Sequence, residues 1–222
     1  MNKIVPSQPL LIMLYGYPGA GKSYVARQLA TSLSAAHVQG ERIRHDLFTT
    51  PRFDRSENEA VTNLMEYMAQ EFLGAGMSVI FDTNVLRAIQ RQALRNLARK
   101  YKCQPLVIWL QIDSESAFLR TQRRDRRKSD DRYSESMDRK TFDAIVGNMQ
   151  NPTNAEDYVV VSGKHVFSTQ LSAILKKLND MNMLQHIDDL SSGLTKPGLV
   201  NLIPNPSAGR VDLNRRRNIV IR

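Results

Sequence analysis

Eight consecutive residues, Gly16-Tyr17-Pro18-Gly19-Ala20-Gly21-Lys22-Ser23, are of the types that handle phosphate. They match the pattern GxxxxGK[ST] in full. Glycines let the backbone turn so that successive N–H groups point at phosphate oxygens. The N-terminus of a helix opening at Lys22 would add its positive dipole end. Lys22 would reach the β- and γ-phosphates, and the Ser23 hydroxyl would ligate Mg²⁺. The expected cofactors are therefore ATP and Mg²⁺, bound by Gly16 to Ser23 with Tyr24 beside them. The competing reading, a chance glycine turn, lacks an apolar strand before the loop and an amphipathic helix after it; both are predicted here.

Two acidic positions could serve the same chemistry. Asp82-Thr83-Asn84 ends a predicted buried strand, the edge where open α/β sheets bind ligands. Asp82 could hold a magnesium-bound water or an acceptor hydroxyl; the alternative is a strand-end cap. Asp46, in Arg44-His45-Asp46, could orient an acceptor hydroxyl and take its proton, or could simply close a turn. Farther along, Arg120, Arg123, Arg124, Arg126 and Arg127 crowd one predicted helix. Arg120 and Arg124 are four apart, as are Arg123 and Arg127, so each pair shares a helix face. Such a pair could swing over the nucleotide and neutralise charge on the transferred group; the alternative is a solvated or RNA-binding face.

These residues need a scaffold, and the hydrophobic pattern supplies one. Apolar runs of strand length occur at 9–15, 77–82, 105–112 and 157–161, with a more polar candidate at His37 to Arg44. Helical spacing is predicted from Lys22 to Leu33, from an N-cap at Ser56 with Glu59 to Gly74 and Gly76, and from Leu86 to Tyr101. Further helices are predicted from Ser114 to Lys128, from Ser136 to Met149 and from Ser168 to Met181. Strand and helix alternate, which implies a three-layer α/β fold with a mostly parallel sheet of about five strands. The arginine-rich helix would lie in a lid over about 114–150. The domain would run over 1–185, followed by a basic segment, 186–222, punctuated by Pro, Gly and Ser.

The chain has 222 residues and 41% hydrophobic composition, enough for one α/β core. Its net charge of +9 suits anionic partners, without choosing between nucleotide and nucleic acid. Cys103 is the only cysteine, so no internal disulfide and no cysteine-based metal site can form. The apolar run from Leu10 to Tyr15 is too short for a membrane span and leads into the glycine loop. A cytoplasmic location is the expectation.

The chain resembles the zeta-toxin and polynucleotide-kinase group of P-loop kinases over about residues 10–180. The resemblance rests on Gly16–Ser23, Asp46, Val79-Ile-Phe-Asp-Thr-Asn84 and Phe118-Leu-Arg-Thr-Gln-Arg-Arg124. It implies transfer of the ATP γ-phosphate to a hydroxyl, with Asp46 as general base, Asp82 on the acceptor or metal side, and Arg120 and Arg124 as the lid pair. Polynucleotide kinases place an arginine three positions after the base. Counted from Asp46 that position is Thr49, which weakens a polynucleotide acceptor and leaves small alcohols, nucleosides and sugar nucleotides open. A rival of another class is a nucleotide-gated nucleic-acid-binding protein; plain ATP hydrolysis ranks last.

Overall fold

A computed structural model of the chain describes residues 4–125 and 132–184. The expected segment 186–222 and the arginines at 126 and 127 lie outside the described residues.

Five parallel strands form one sheet in the order β2-β3-β1-β4-β5. They are β1 (Leu10–Tyr15), β2 (Ala36–Gln39), β3 (Val79–Asp82), β4 (Gln104–Gln111) and β5 (Tyr158–Ser162). Every residue of β1 and β3 is buried, as continuous apolar runs in a sheet covered on both faces should be. One face packs Leu10, Ile12 and Leu14 against α1 (Lys22–Ser32) through Val25 and Leu29, and against α7 (Phe167–Asp180) through Ile174 and Leu178. The other packs Leu11, Met13 and Tyr15 against α3 (Arg55–Gly74) through Val61 and Met65, and against α4 (Ala88–Lys100) through Leu94 and Ala98. The remaining helices are α2 (Gly40–Leu47), α5 (Ser114–Gln122) and α6 (Arg139–Gly147). No helix among the described residues is long and apolar enough to cross a membrane.

Several element boundaries differ from expectation for physical reasons. The second strand stops at Gln39, whose neighbour in register is Asp82, the last residue of β3. With no strand left to pair, the chain turns into α2, which buries Gly40 and Arg44 one helical turn apart. Asp54, not Ser56, caps α3 by accepting from the Glu57 backbone N–H at 2.9 Å. The Glu57 carboxylate turns back to accept from the backbone N–H groups of Arg52 and Phe53, at 2.9 Å each. Ser56 lies inside the helix, and Glu59 pairs with Arg55 on its exposed side. Asp113 caps α5 in place of Ser114, and α5 ends at Gln122 rather than continuing to Lys128.

Candidate active site

The loop between β1 and α1 is held by steric contacts that only glycine allows. Gly16 and Gly19 have φ values of 147° and 83°. A Cβ on Gly16 would lie 2.4 Å from the Leu110 carbonyl oxygen, and one on Gly19 would lie 2.2 Å from that of Ala117. The loop is thus pressed against the end of β4 on one side and the first turn of α5 on the other. Lys22 Nζ donates to the carbonyls of Gly16 and Tyr17 at 2.8 and 2.9 Å, closing the loop around its own ammonium. Pro18 and Ala20 are buried, while Tyr24 is partly exposed beyond Ser23. The Tyr17 ring packs on Phe142 of α6, in a small apolar cluster with Ala117 and Phe118 of α5.

Beside the loop, Asp82 is only 4% exposed at the end of β3. Ser23 Oγ donates to its Oδ1 at 3.2 Å, and His37 Nε2 of β2 lies 3.0 Å from its Oδ2. Sequence spacing does not reveal His37; parallel pairing of β2 with β3 brings it there. The Ser23 hydroxyl and Asp82 carboxylate are hard oxygen donors on adjacent elements, the donor set that suits Mg²⁺. Thr83 and Asn84 follow, Thr83 half-buried and Asn84 exposed. Their loop is fixed from below by Arg91 of α4, whose Nη1 donates to the Val85 carbonyl at 3.1 Å. Arg91 is wholly buried and pairs with Glu156 at 2.8 Å, beneath the Tyr15 ring.

The expected carboxylate at Asp46 is not among these neighbours. Its side chain is 64% exposed on α2 and paired with Arg42 at 3.5 Å. Glu41, five residues earlier in the first turn of α2, is half-exposed and lies 3.8 Å from the Arg44 guanidinium. Burial raises its pKa, Arg44 and His45 lower it, Asp82 raises it and Arg124 lowers it. Glu41 therefore shares an electrostatic neighbourhood with Asp82 and Arg124. An acidic residue in a turn after the second strand was the available signal, obscured because the strand was predicted to run through it.

The two expected lid arginines are both close to the loop, although not on one helix face. Since α5 ends at Gln122, Arg124 lies beyond the helix on which Arg120 stands. Arg120 Nη1 donates to the Gly163 carbonyl at 2.9 Å, and Arg124 Nη1 to that of Glu135 at 2.5 Å. Arg124 also acts on Lys22. Burial pushes the Lys22 ammonium down to about 8; Asp82 opposes that shift and Arg124 reinforces it. Lys22, Arg124, Asp82 and Glu41 thus shift one another's charge beside the glycine loop. His45 of α2 meets the Tyr133 ring with centroids 5.9 Å apart and planes tilted by 40°, ten residues after Arg123.

Comparison with known proteins agrees with this architecture. Kti12 of Chaetomium thermophilum, solved with ADP-AlF3, superposes with a TM-score of 0.61 at 17% identity, over 80% of this chain and all of that one. A gluconokinase from Sinorhizobium meliloti gives 0.55 at 16% identity, over 81% of this chain and 95% of that one. The APS kinase CysC of Mycobacterium tuberculosis, solved with AMPPNP and APS, gives 0.54 at 16% identity, over 78% and 99%. At such identities the likeness is one of fold. No curated protein matches the chain. A family model described as an AAA domain matches residues 11–152, which span the loop, Asp82, Arg120 and Arg124, and the chain belongs to that family.

Proposed function

We propose that the chain transfers the terminal phosphoryl group of ATP to a hydroxyl acceptor. The single observation that carries this reading is the Ser23–Asp82 contact beside the glycine loop that Lys22 closes, with Arg124 and Asp82 acting electrostatically on both Lys22 and Glu41. An acceptor oxygen attacks the γ-phosphorus, the bond to the bridging oxygen breaks, and ADP departs. The acceptor proton passes to Glu41, whose raised pKa makes it a better base than an ordinary carboxylate. Lys22 and the loop N–H groups hold the phosphates, and Arg124 neutralises charge that builds on the transferred group, a role supported by its influence on Lys22. Mg²⁺ held by Ser23 and Asp82 would neutralise phosphate charge. His37 orients Asp82 for that role.

Glu41 takes the role expected of Asp46. Arg44 then stands three positions after the base, the spacing that the polynucleotide-kinase resemblance requires. Arg44 is occupied, however: it meets Glu57 at 3.4 Å and Asn58 at 2.7 Å and covers the Phe53 ring. A polynucleotide 5′-hydroxyl is the first acceptor to test, and the small-molecule kinases among the structural neighbours make small alcohols the second. A cytoplasmic site of action accords with the supply of ATP.

The test is transfer from γ-labelled ATP with Mg²⁺ to a 5′-hydroxyl oligonucleotide, to nucleosides and to sugar acids. Glu41→Gln should lower kcat by about 10²-fold or more, the usual worth of a positioned base. Asp46→Asn should stay within about twofold, as befits an exposed surface pair. The reverse ranking would return the base role to Asp46. Labelling of no acceptor while ATP binds would leave a nucleotide-binding switch.

A further inference from the structure

Beside the phosphate loop, on the face of the sheet that carries α3 and α4, the structure holds a cavity of about 560 Å³ that phosphate transfer does not explain. Its floor is one row of the sheet. Tyr15 of β1 pairs in register with Trp109 of β4, and Trp109 pairs with Val160 of β5. The Tyr15 and Trp109 rings meet edge to face at 5.6 Å, and Met149 lines the cavity beside them. Val160 is 42% exposed, an unusual state for an aliphatic side chain in a parallel sheet. The next row outward, Gln111 and Ser162, supplies an amide and a hydroxyl at the mouth. Asn151 accepts from the Tyr15 hydroxyl at 2.9 Å, which leaves its Nδ2 as a donor.

The charge of the cavity narrows what it can hold. The cation among its lining residues, Lys164, is engaged by Asp113 at 2.7 Å. Lys164 and the Ser116 side chain and N–H hold the Asp113 carboxyl well below the usual range, so the pair stays ionised and mutually neutralised. An acidic sugar or a second phosphate would find no unpaired cation there. A flat, neutral ring with donors and acceptors on its edge fits an aromatic and aliphatic floor ringed by amides and a hydroxyl.

We infer that this cavity seats a nucleobase of the acceptor. Its wall includes Gly16 and Tyr17, whose carbonyls Lys22 holds, so a bound ring and the phosphates share one stretch of backbone. The cavity opens on the sheet face opposite α1, the helix whose N-terminus receives the phosphates. A nucleoside entering from that face brings its hydroxyl to the site from the side away from the donor's helix. This inference rests on the kinase reading and makes the acceptor a nucleoside or a terminal nucleotide.

Trp109 is the only tryptophan in the chain, so its emission reports directly on the cavity. Each of the four ribonucleosides is titrated into the full chain, with and without a non-hydrolysable ATP analogue and Mg²⁺. At least one nucleoside should quench Trp109 saturably, and equally well with the analogue already bound. Val160→Arg should weaken that binding by about tenfold or more, the worth of one base stacked on an aromatic floor, and leave the affinity for the analogue unchanged. Gln111→Arg, on an exposed position of β4, obstructs the mouth independently should the first variant fold poorly. Unchanged emission with every nucleoside would overturn the inference. Competition between analogue and nucleoside would also overturn it, because the ring site would then belong to the donor's adenine. Failure of the analogue itself to bind would instead sink the kinase reading, which the nucleoside arm does not measure.

Discussion

The phosphate loop and the arginine-bearing segment that faces it are held by different forces. The loop is fixed by backbone contacts too close for any side chain at Gly16 or Gly19, and by a lysine that donates to its own loop carbonyls. The facing segment rests on a small cluster in which Ala117, Phe118 and Phe142 are the buried members, and there Arg120 donates to the Gly163 carbonyl and Arg124 to that of Glu135. One region is set before any ligand arrives. The other places guanidinium groups on carbonyl oxygens, and a charged phosphate acceptor makes a stronger bond to guanidinium than a carbonyl does. Such an asymmetry would serve the proposed phosphate transfer, in which a rigid cradle is open to solvent and is then covered.

The sharpest way to break the comparison is to remove the arginine that acts on both Lys22 and Glu41. Arg124→Ala should lower kcat by on the order of 10³-fold while leaving the ATP analogue bound, as losing an arginine that meets transition-state charge does. Arg123→Ala, at the exposed end of α5, is the control and should change little. Steady-state kinetics of both variants decide the matter; equal rates for the two would reduce the segment to surface charge.

Next in size is a methyl group on the rigid side. Gly19→Ala drives a Cβ to 2.2 Å from the Ala117 carbonyl in a left-handed conformation. It should cost roughly 1–3 kcal/mol of stability and abolish analogue binding. Thermal unfolding and calorimetry would show both. The same change at Gly147, where a Cβ meets nothing within 4 Å, should be tolerated.

The smallest effect is a titration. The Lys22 ammonium has an ordinary value of 10.5 and is lowered to about 8 in the folded chain. Between those values the unfolded chain holds the proton and the folded chain does not. This group therefore makes the free protein more stable as pH rises from about 8 to 10.5. Phosphate binding needs the ammonium, so analogue affinity should fall through the same window, by up to about tenfold per pH unit. Proton uptake on binding near pH 8.5, measured by calorimetry in two buffers of different ionisation heat, would confirm the coupling. Absence of uptake would mean that Lys22 stays charged in the free loop.

Much of this was legible in the residues alone. The glycine loop declares itself because its chemistry is local: eight consecutive positions supply the turns, the amides, the cation and the hydroxyl. The strands declare themselves because burial on both faces demands unbroken apolar runs, and 105–112 in sequence became Gln104–Gln111 in space. Asp82 was readable as a strand end on the ligand-binding edge. Asp46 and Glu41 were not separable, since the choice depends on where β2 stops, and that depends on the length of β3 beside it. The Arg120–Arg124 pair was legible as two cations and misread as one helix face, because no pattern in the sequence marks Gln122 as the end of α5.

What the sequence by itself determined is the phosphate loop, the alternation of strand and helix, and the identity of the charged groups available to the site. Only the tertiary structure decided which of those groups meet. Parallel pairing set His37 beside Asp82, the end of β3 turned the chain at Gly40 into the helix that carries Glu41, and register aligned Tyr15, Trp109 and Val160 in one row. The physical reason is range: a loop's chemistry lies within one stretch of chain, whereas the groups proposed as base, lid and ring site come from residues that pairing and packing bring together across it.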